Sequence, residues 1–193
     1  MRLRTIGMIA LAFIATTSVA SAEGTGPARI RYCHGFGCKM RSPVVFSAGD
    51  MAQLRRIVAT GRSSPAAERA ALGRADQWFE RKAGAQTGTS KDGAKDVYTL
   101  FTPLSEIDCV DETTNTTTLL KLIETRGWLV HHKAGRPANR GFLIDGRYPH
   151  NTATIVQIDT GQAWVVDSWV RANGEPPDIM PLSEWKRRGG LYD

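Results

Sequence analysis

The spacing of apolar and polar positions divides this chain of 193 residues into two parts, helical first and then extended. Residues 29–46 read as extended or hairpin structure around RYCHGFGCKM, where Gly35 and Gly37 permit a tight turn. Ser47 or Gly49 then opens a short helix through DMAQLRRIVAT, closed by Gly61. Ser64-Pro65 opens a longer helix with proline at its first position. In it Ala71, Ala75, Trp78, Phe79 and Lys82 recur at helical spacing, and Trp78 and Phe79 read as core. Residues 84–96, rich in Gly, Ser and Lys, read as a surface loop, and Tyr98 to Phe101 as a short apolar run.

From Ser105 to Gly127 the spacing is helical again. Ser105 and Asp108 are both cap residues with an acid three positions on, and Gly127 suits the position after a helix end. The run TTNTTT in the middle is poor helix material, because Thr and Asn lose side-chain freedom or compete for backbone hydrogen bonds. Beyond Gly127 the pattern turns to strands. WLVHH reads as a strand, KAGRPANRG as a basic loop, and FLIDGRYPH carries a turn at Asp145-Gly146. NTATIVQI and AWVVDSWV flank DTGQ as a hairpin. The tail from Gly174 to Asp193 holds three prolines, and Leu182 to Trp185 is expected to pack on the sheet edge. Helices followed by an antiparallel sheet make the fold class α+β.

Composition adds a compartment. Arg2 and Arg4, the apolar stretch Ile6 to Ala15 and the Ala20-Ser21-Ala22 site read as a secretory signal peptide over residues 1–22. The expected mature chain is one domain over residues 23–193, monomeric, free of the membrane after cleavage, and periplasmic or secreted. Removing the two signal arginines lowers the formal net charge from +6 to +4. Lys and Arg are scattered without an aromatic-interleaved stripe, so no nucleic-acid partner is expected.

In an oxidising compartment Cys33 and Cys38 are expected to close a short disulfide loop, with a metal or redox pair using His34 as the alternative. That leaves Cys109 as a lone thiol at the first turn of a predicted helix. Unpaired N–H groups and the positive end of the helix dipole favour a thiolate there. A cysteine nucleophile needs a base and a group that orients the base. His150 begins one strand of the last hairpin and Asp167 lies late in the other. An even-numbered connection puts both on one face, offset by several residues that a bulge, twist or shifted turn must close. His131 and His132 are competing bases, but neighbours on a strand face opposite ways, so at most one could join. Either one with Cys109 and His150 would make a zinc or copper site, although no short ligand spacing supports it. A buried, inert Cys109 in a non-catalytic binding or assembly protein is the third possibility.

The order Cys, His, Asp resembles that of transglutaminase-like and papain-like thiol enzymes, and most closely bacterial transglutaminase-like cysteine peptidases. The resemblance runs from about Ser105 to Val170. It is carried by the strand-initial His150-Asn-Thr-Ala-Thr-Ile-Val-Gln-Ile-Asp-Thr-Gly and by Trp164-Val-Val-Asp167. Asp167-Ser168-Trp169 also resembles the papain-like Asn-Ser-Trp, in which an aromatic ring covers the orienting hydrogen bond. The resemblance implies a papain/transglutaminase-like fold, no cofactor, a protein or peptide substrate, and catalysis by Cys109, His150 and Asp167. Cys109 would attack an acyl carbon, His150 would serve as base and then acid, and Asp167 would orient the ring. The N–H of Cys109 is a candidate oxyanion donor. The chain departs from the pattern in lacking a glutamine shortly before Cys109; Tyr98 or Thr102 could supply the second donor.

Overall fold

The computed structural model describes residues 25–95, 103–142 and 147–188. The signal peptide, the run from Tyr98 to Phe101, Thr102 and the Asp145-Gly146 turn lie outside the described residues. The first hairpin pairs β1 (Ala28–His34) with β2 (Met40–Phe46), antiparallel, with His34 opposite Met40. The Cys33–Cys38 disulfide closes its tip. Helix α1 (Ala48–Ala59) starts where Ser47 and Asp50 form a reciprocal capping box. Helix α2 (Pro65–Thr87) starts at the Ser64 cap. Between them Gly61 comes so close to α2 that a Cβ would sit 2.5 Å from Glu68 Cα. Only glycine lets the two helices fold back at that distance.

Helix α3 (Cys109–Thr125) lies between the hairpin and a second antiparallel sheet. That sheet runs in the order β3 (His132–Ala134), β5 (His150–Gln157), β6 (Ala163–Asp167) and β7 (Asp178–Pro181), with β4 (Ala138–Arg140) also pairing with β5. Helix α4 (Leu182–Arg187) follows β7 directly. The core joins Tyr32 and Phe46 of the hairpin, Phe79 of α2, Leu119 and Ile123 of α3, and Ile155 of β5. Phe46 and Phe79 stack at 5.8 Å. The fold is therefore mixed α and β with antiparallel sheets.

Three expectations change. The strand expected over WLVHH begins only at its last residue, because the Glu68 carboxylate accepts the N–H groups of Val130 (2.6 Å) and His131 (2.8 Å) that a strand partner would have taken. The basic loop contributes Lys133 and Ala134 to β3 and all of β4, both laid along β5. The loop expected from residue 84 starts later, since α2 continues to Thr87 and ends at Gly88 with φ +83°.

In the Thr-rich run, which stays helical, Thr114, Asn115, Thr116 and Thr118 have tertiary or local partners, while the buried hydroxyls of Thr113 and Thr117 have none among the described residues. Asn115 is 1% exposed and pairs with the backbone of Cys33 in both directions, accepting its N–H at 2.8 Å and donating to its carbonyl at 2.9 Å. Thr114 and Thr118 donate to carbonyls one turn back.

Candidate active site

Cys109 is the first helical residue of α3, and the cap chemistry puts it there. Of the two candidate caps, Asp108 is the one used. It accepts the N–H groups of Val110 (3.0 Å) and Asp111 (2.9 Å), and Asp111 accepts that of Asp108 (3.2 Å). These carboxylates leave the N–H of Cys109 itself aside. The start of β5 lies against this helix end. The backbone N–H of Asn151 bonds the Cys109 sulfur, and Asn151 Nδ2 is 4.0 Å from it.

The expected fall in the cysteine pKa is reversed. Burial pushes the Cys109 thiol above its ordinary value; Asn151 pulls it down, while Asp108 and Asp167 push it up. The reason is local. Cys109 is only 8% exposed, and the cap carboxylate of Asp108 offsets the positive helix end that was to stabilise a thiolate.

His150 and Asp167 meet without a bulge. Ala153 pairs with Val166 and Val156 with Ala163, so the connection is even-numbered and the register continues to place Thr152 opposite Asp167. His150 is two residues further along the same face, a diagonal neighbour within reach of long side chains. Its Nε2 lies 2.7 Å from Asp167 Oδ2, and both side chains are 2% exposed. The carboxylate accepts, so Nε2 carries the proton and Nδ1 is left as the base. Nδ1 is buried and has no hydrogen-bond partner among the described residues.

Aromatic rings enclose the pair. Trp169 lies 4.5 Å from the imidazole centroid and Trp185 5.4 Å. Tyr148 stacks on Trp169 at 5.9 Å with 8° between the planes. Trp185 Nε1 donates to the same Asp167 oxygen at 2.7 Å. Ser168 anchors the following residue from below, donating to Glu112 Oε2 at 2.8 Å and lying 3.2 Å from Thr116 Oγ1.

Sequence reasoning missed Trp185 and Asn151. Leu182 to Trp185 was expected only to pack on the sheet edge, and nothing local named Asp167 as the acceptor of the indole N–H. Asn151 carried no signal beyond standing next to His150.

The competing histidines are committed elsewhere. His132 Nδ1 is 2.8 Å from Glu68 Oε2, and its Nε2 is 3.4 Å from Arg69. His131 Nε2 is 3.0 Å from the Arg62 carbonyl oxygen. His34 lies between the Leu104 carbonyl and Ser42. Among the described residues the one group with metal-ligand proximity is Cys33, Cys38 and Asp111, two of which are joined in the disulfide. The zinc or copper arrangement on Cys109, His150 and one of the paired histidines is thus not assembled.

No family model matches the chain, and neither a curated protein nor a solved structure was found to be similar to it.

Proposed function

We propose that this protein is a cysteine-dependent acyl-transfer enzyme, a peptidase or amidase of the transglutaminase-like, papain-like kind, with Cys109, His150 and Asp167 as its triad. The observation that carries the reading is the His150–Asp167 pair. His150 Nε2 is bound to Asp167 and Nδ1 is unpartnered among the described residues, next in sequence to Asn151, which touches the lone thiol. Because burial holds Cys109 as a thiol, attack and proton loss go together. The sulfur adds to a substrate carbonyl while its proton passes to His150 Nδ1, and Asp167 stabilises the imidazolium that forms. The Cys109 N–H stabilises the oxyanion. Collapse returns the proton to the leaving amine and leaves a thioester, which water or an amine acceptor resolves.

The expected substrate is a protein or peptide, met in the periplasm or outside the cell. The disulfide fits that setting, and no helix among the described residues is long and apolar enough to cross a membrane.

A competing reading, a non-catalytic binding or assembly protein on the same scaffold, draws on the burial of Cys109. Alkylation separates them. The enzyme reading expects iodoacetamide to modify native Cys109 near neutral pH at least tenfold faster than in His150→Ala, together with turnover of a fluorogenic peptide pool. A thiol inert in the native protein and reactive only in denaturant would overturn it.

A further inference from the structure

The tip of the first hairpin grips the helix end that carries Cys109. Gly35, Phe36, Gly37 and Cys38 all have φ between +58° and +80°, so successive N–H groups converge on one side as an anion-binding nest. Two of these residues are not glycine, and left-handed backbone is costly for them unless the surroundings enforce it. The nest is filled by the α3 cap. Phe36 N–H donates to Asp111 Oδ2 at 2.9 Å, Cys38 N–H to Asp111 Oδ1 at 2.6 Å, and Gly37 N–H to Asp108 Oδ2 at 2.9 Å. Asp111 is fully buried. The segment leading into α3 is held by the same loop, through Gly35 N–H to the Glu106 carbonyl (2.9 Å) and His34 Nδ1 to the Leu104 carbonyl (2.8 Å). Both disulfide sulfurs lie within 4.8 Å of an Asp111 oxygen.

We propose that the Cys33–Cys38 loop is a redox-sensitive clamp that positions the nucleophile, with Asp111 as the positioning residue through which it acts. The proposal rests on the enzyme reading of Cys109. The disulfide closes the loop and so favours the nest conformation; the nest holds the two cap carboxylates; the cap fixes the first turn of α3 and the direction of the Cys109 side chain. Cys38 is a half-buried residue and Cys33 a fully buried one, so a dithiol reductant would attack at Cys38. The mixed disulfide releases Cys33, and the second thiol of the reductant then displaces Cys38. Two electrons pass to the protein, the reductant leaves as its own disulfide, and its two protons end on Cys33 and Cys38. The opened loop loses its restraint on left-handed backbone and places two polarisable thiols against Asp111, loosening the cap.

Full-length mature protein, oxidised and after treatment with dithiothreitol, is compared by amide hydrogen exchange and by the pH profile of Cys109 alkylation. Cys109 is followed by mass spectrometry as its own peptide. Reduction is expected to speed exchange at Val110, Asp111 and Glu112 at least tenfold while leaving Leu119 to Ile123 unchanged. The rate of Cys109 alkylation should change along with the first-turn exchange, and both changes should reverse on reoxidation. Unchanged first-turn exchange, or equal acceleration along the whole helix, would overturn the clamp. If reduction unfolds the chain, Asp111→Asn with the disulfide intact decides: local acceleration of the first turn supports the clamp and none refutes it. An alkylation profile already insensitive to His150→Ala in the oxidised protein would instead remove the enzyme reading, while exchange, which needs no catalysis, still decides the clamp.

Discussion

Two histidines of the same sheet are buried against carboxylates, one from helix α2 and one from the neighbouring strand, and only one pair has the makings of a reactive site. His132 and Glu68 meet at 2.8 Å with side chains 0% and 1% exposed; His150 and Asp167 meet at 2.7 Å with both 2% exposed. The difference lies in what remains after the pair forms. Glu68 also accepts the amides of Val130 and His131, and the second nitrogen of His132 faces Arg69. Every group there is consumed in holding the start of β3 against α2. In the other pair Asp167 is held by Trp185, but the second nitrogen of His150 has no partner among the described residues. A buried imidazole with an unused lone pair is poorly satisfied as structure and well suited to accept a proton. It is the leftover valence, not the ion pair, that distinguishes a candidate site.

The largest effect should come from removing that valence or its orientation. His150→Ala and Asp167→Asn are expected to lower kcat/KM on a cleavable peptide by about 10³–10⁴, the latter by favouring the wrong tautomer. Steady-state kinetics check both, with circular dichroism to confirm folding.

The reverse outcome is expected for the other pair. Glu68→Gln should leave kcat/KM within about twofold but lower stability by about 3 kcal/mol, because it breaks a buried pair. Urea denaturation measures this. Burial pushes the Glu68 carboxyl up, but His132 and the two amides outweigh it and leave it below its usual range. Its stabilisation is therefore present above the unfolded carboxylate pKa and is lost as pH falls through the lower folded value. Glu68→Gln should remove part of the acid-side loss of stability.

Trp185→Phe keeps the ring against His150 and deletes the donor to Asp167. A hydrogen bond to a charged group contributes about 1.5–3 kcal/mol, so kcat should fall by about tenfold or more with KM little changed. If KM rises and kcat holds, Trp185 belongs to substrate binding instead of triad positioning.

A third buried polar region sharpens the contrast by having no cation. Asp76, Glu80, Asp92 and Glu112 are each at most 5% exposed, and none takes part in an ion pair among the described residues. Burial pushes Asp76 up to about 7, Glu112 up to about 8 and Asp92 up to about 9. The folded state holds protons that the unfolded chain releases near pH 4, so stability falls as pH rises from there through about pH 9. The expected slope is about 1.4 kcal/mol per pH unit for each retained proton. Asp76→Asn should flatten the decline of Tm between about pH 4 and 7, as read by scanning fluorimetry.

Local signals determined a good deal. The Ser47 and Ser64-Pro65 starts, the Asp108 cap and the two hairpins are each written within a few residues, because caps and turns depend on short-range geometry. The sequence left the parity of the connection around DTGQ open; the register makes it even and so sets the shared face of His150 and Asp167, since strand side chains alternate with a period of two. What failed to show were effects with distant partners. Glu68 shortened a strand more than 60 residues away, Asn115 kept a poor helical stretch helical by pairing with Cys33, and the indole of Trp185 completed the hold on Asp167. The thiol pKa was misjudged for the same reason. Helix position can be read from sequence, but desolvation is set by everything that packs around the sulfur, and only the tertiary structure decides that.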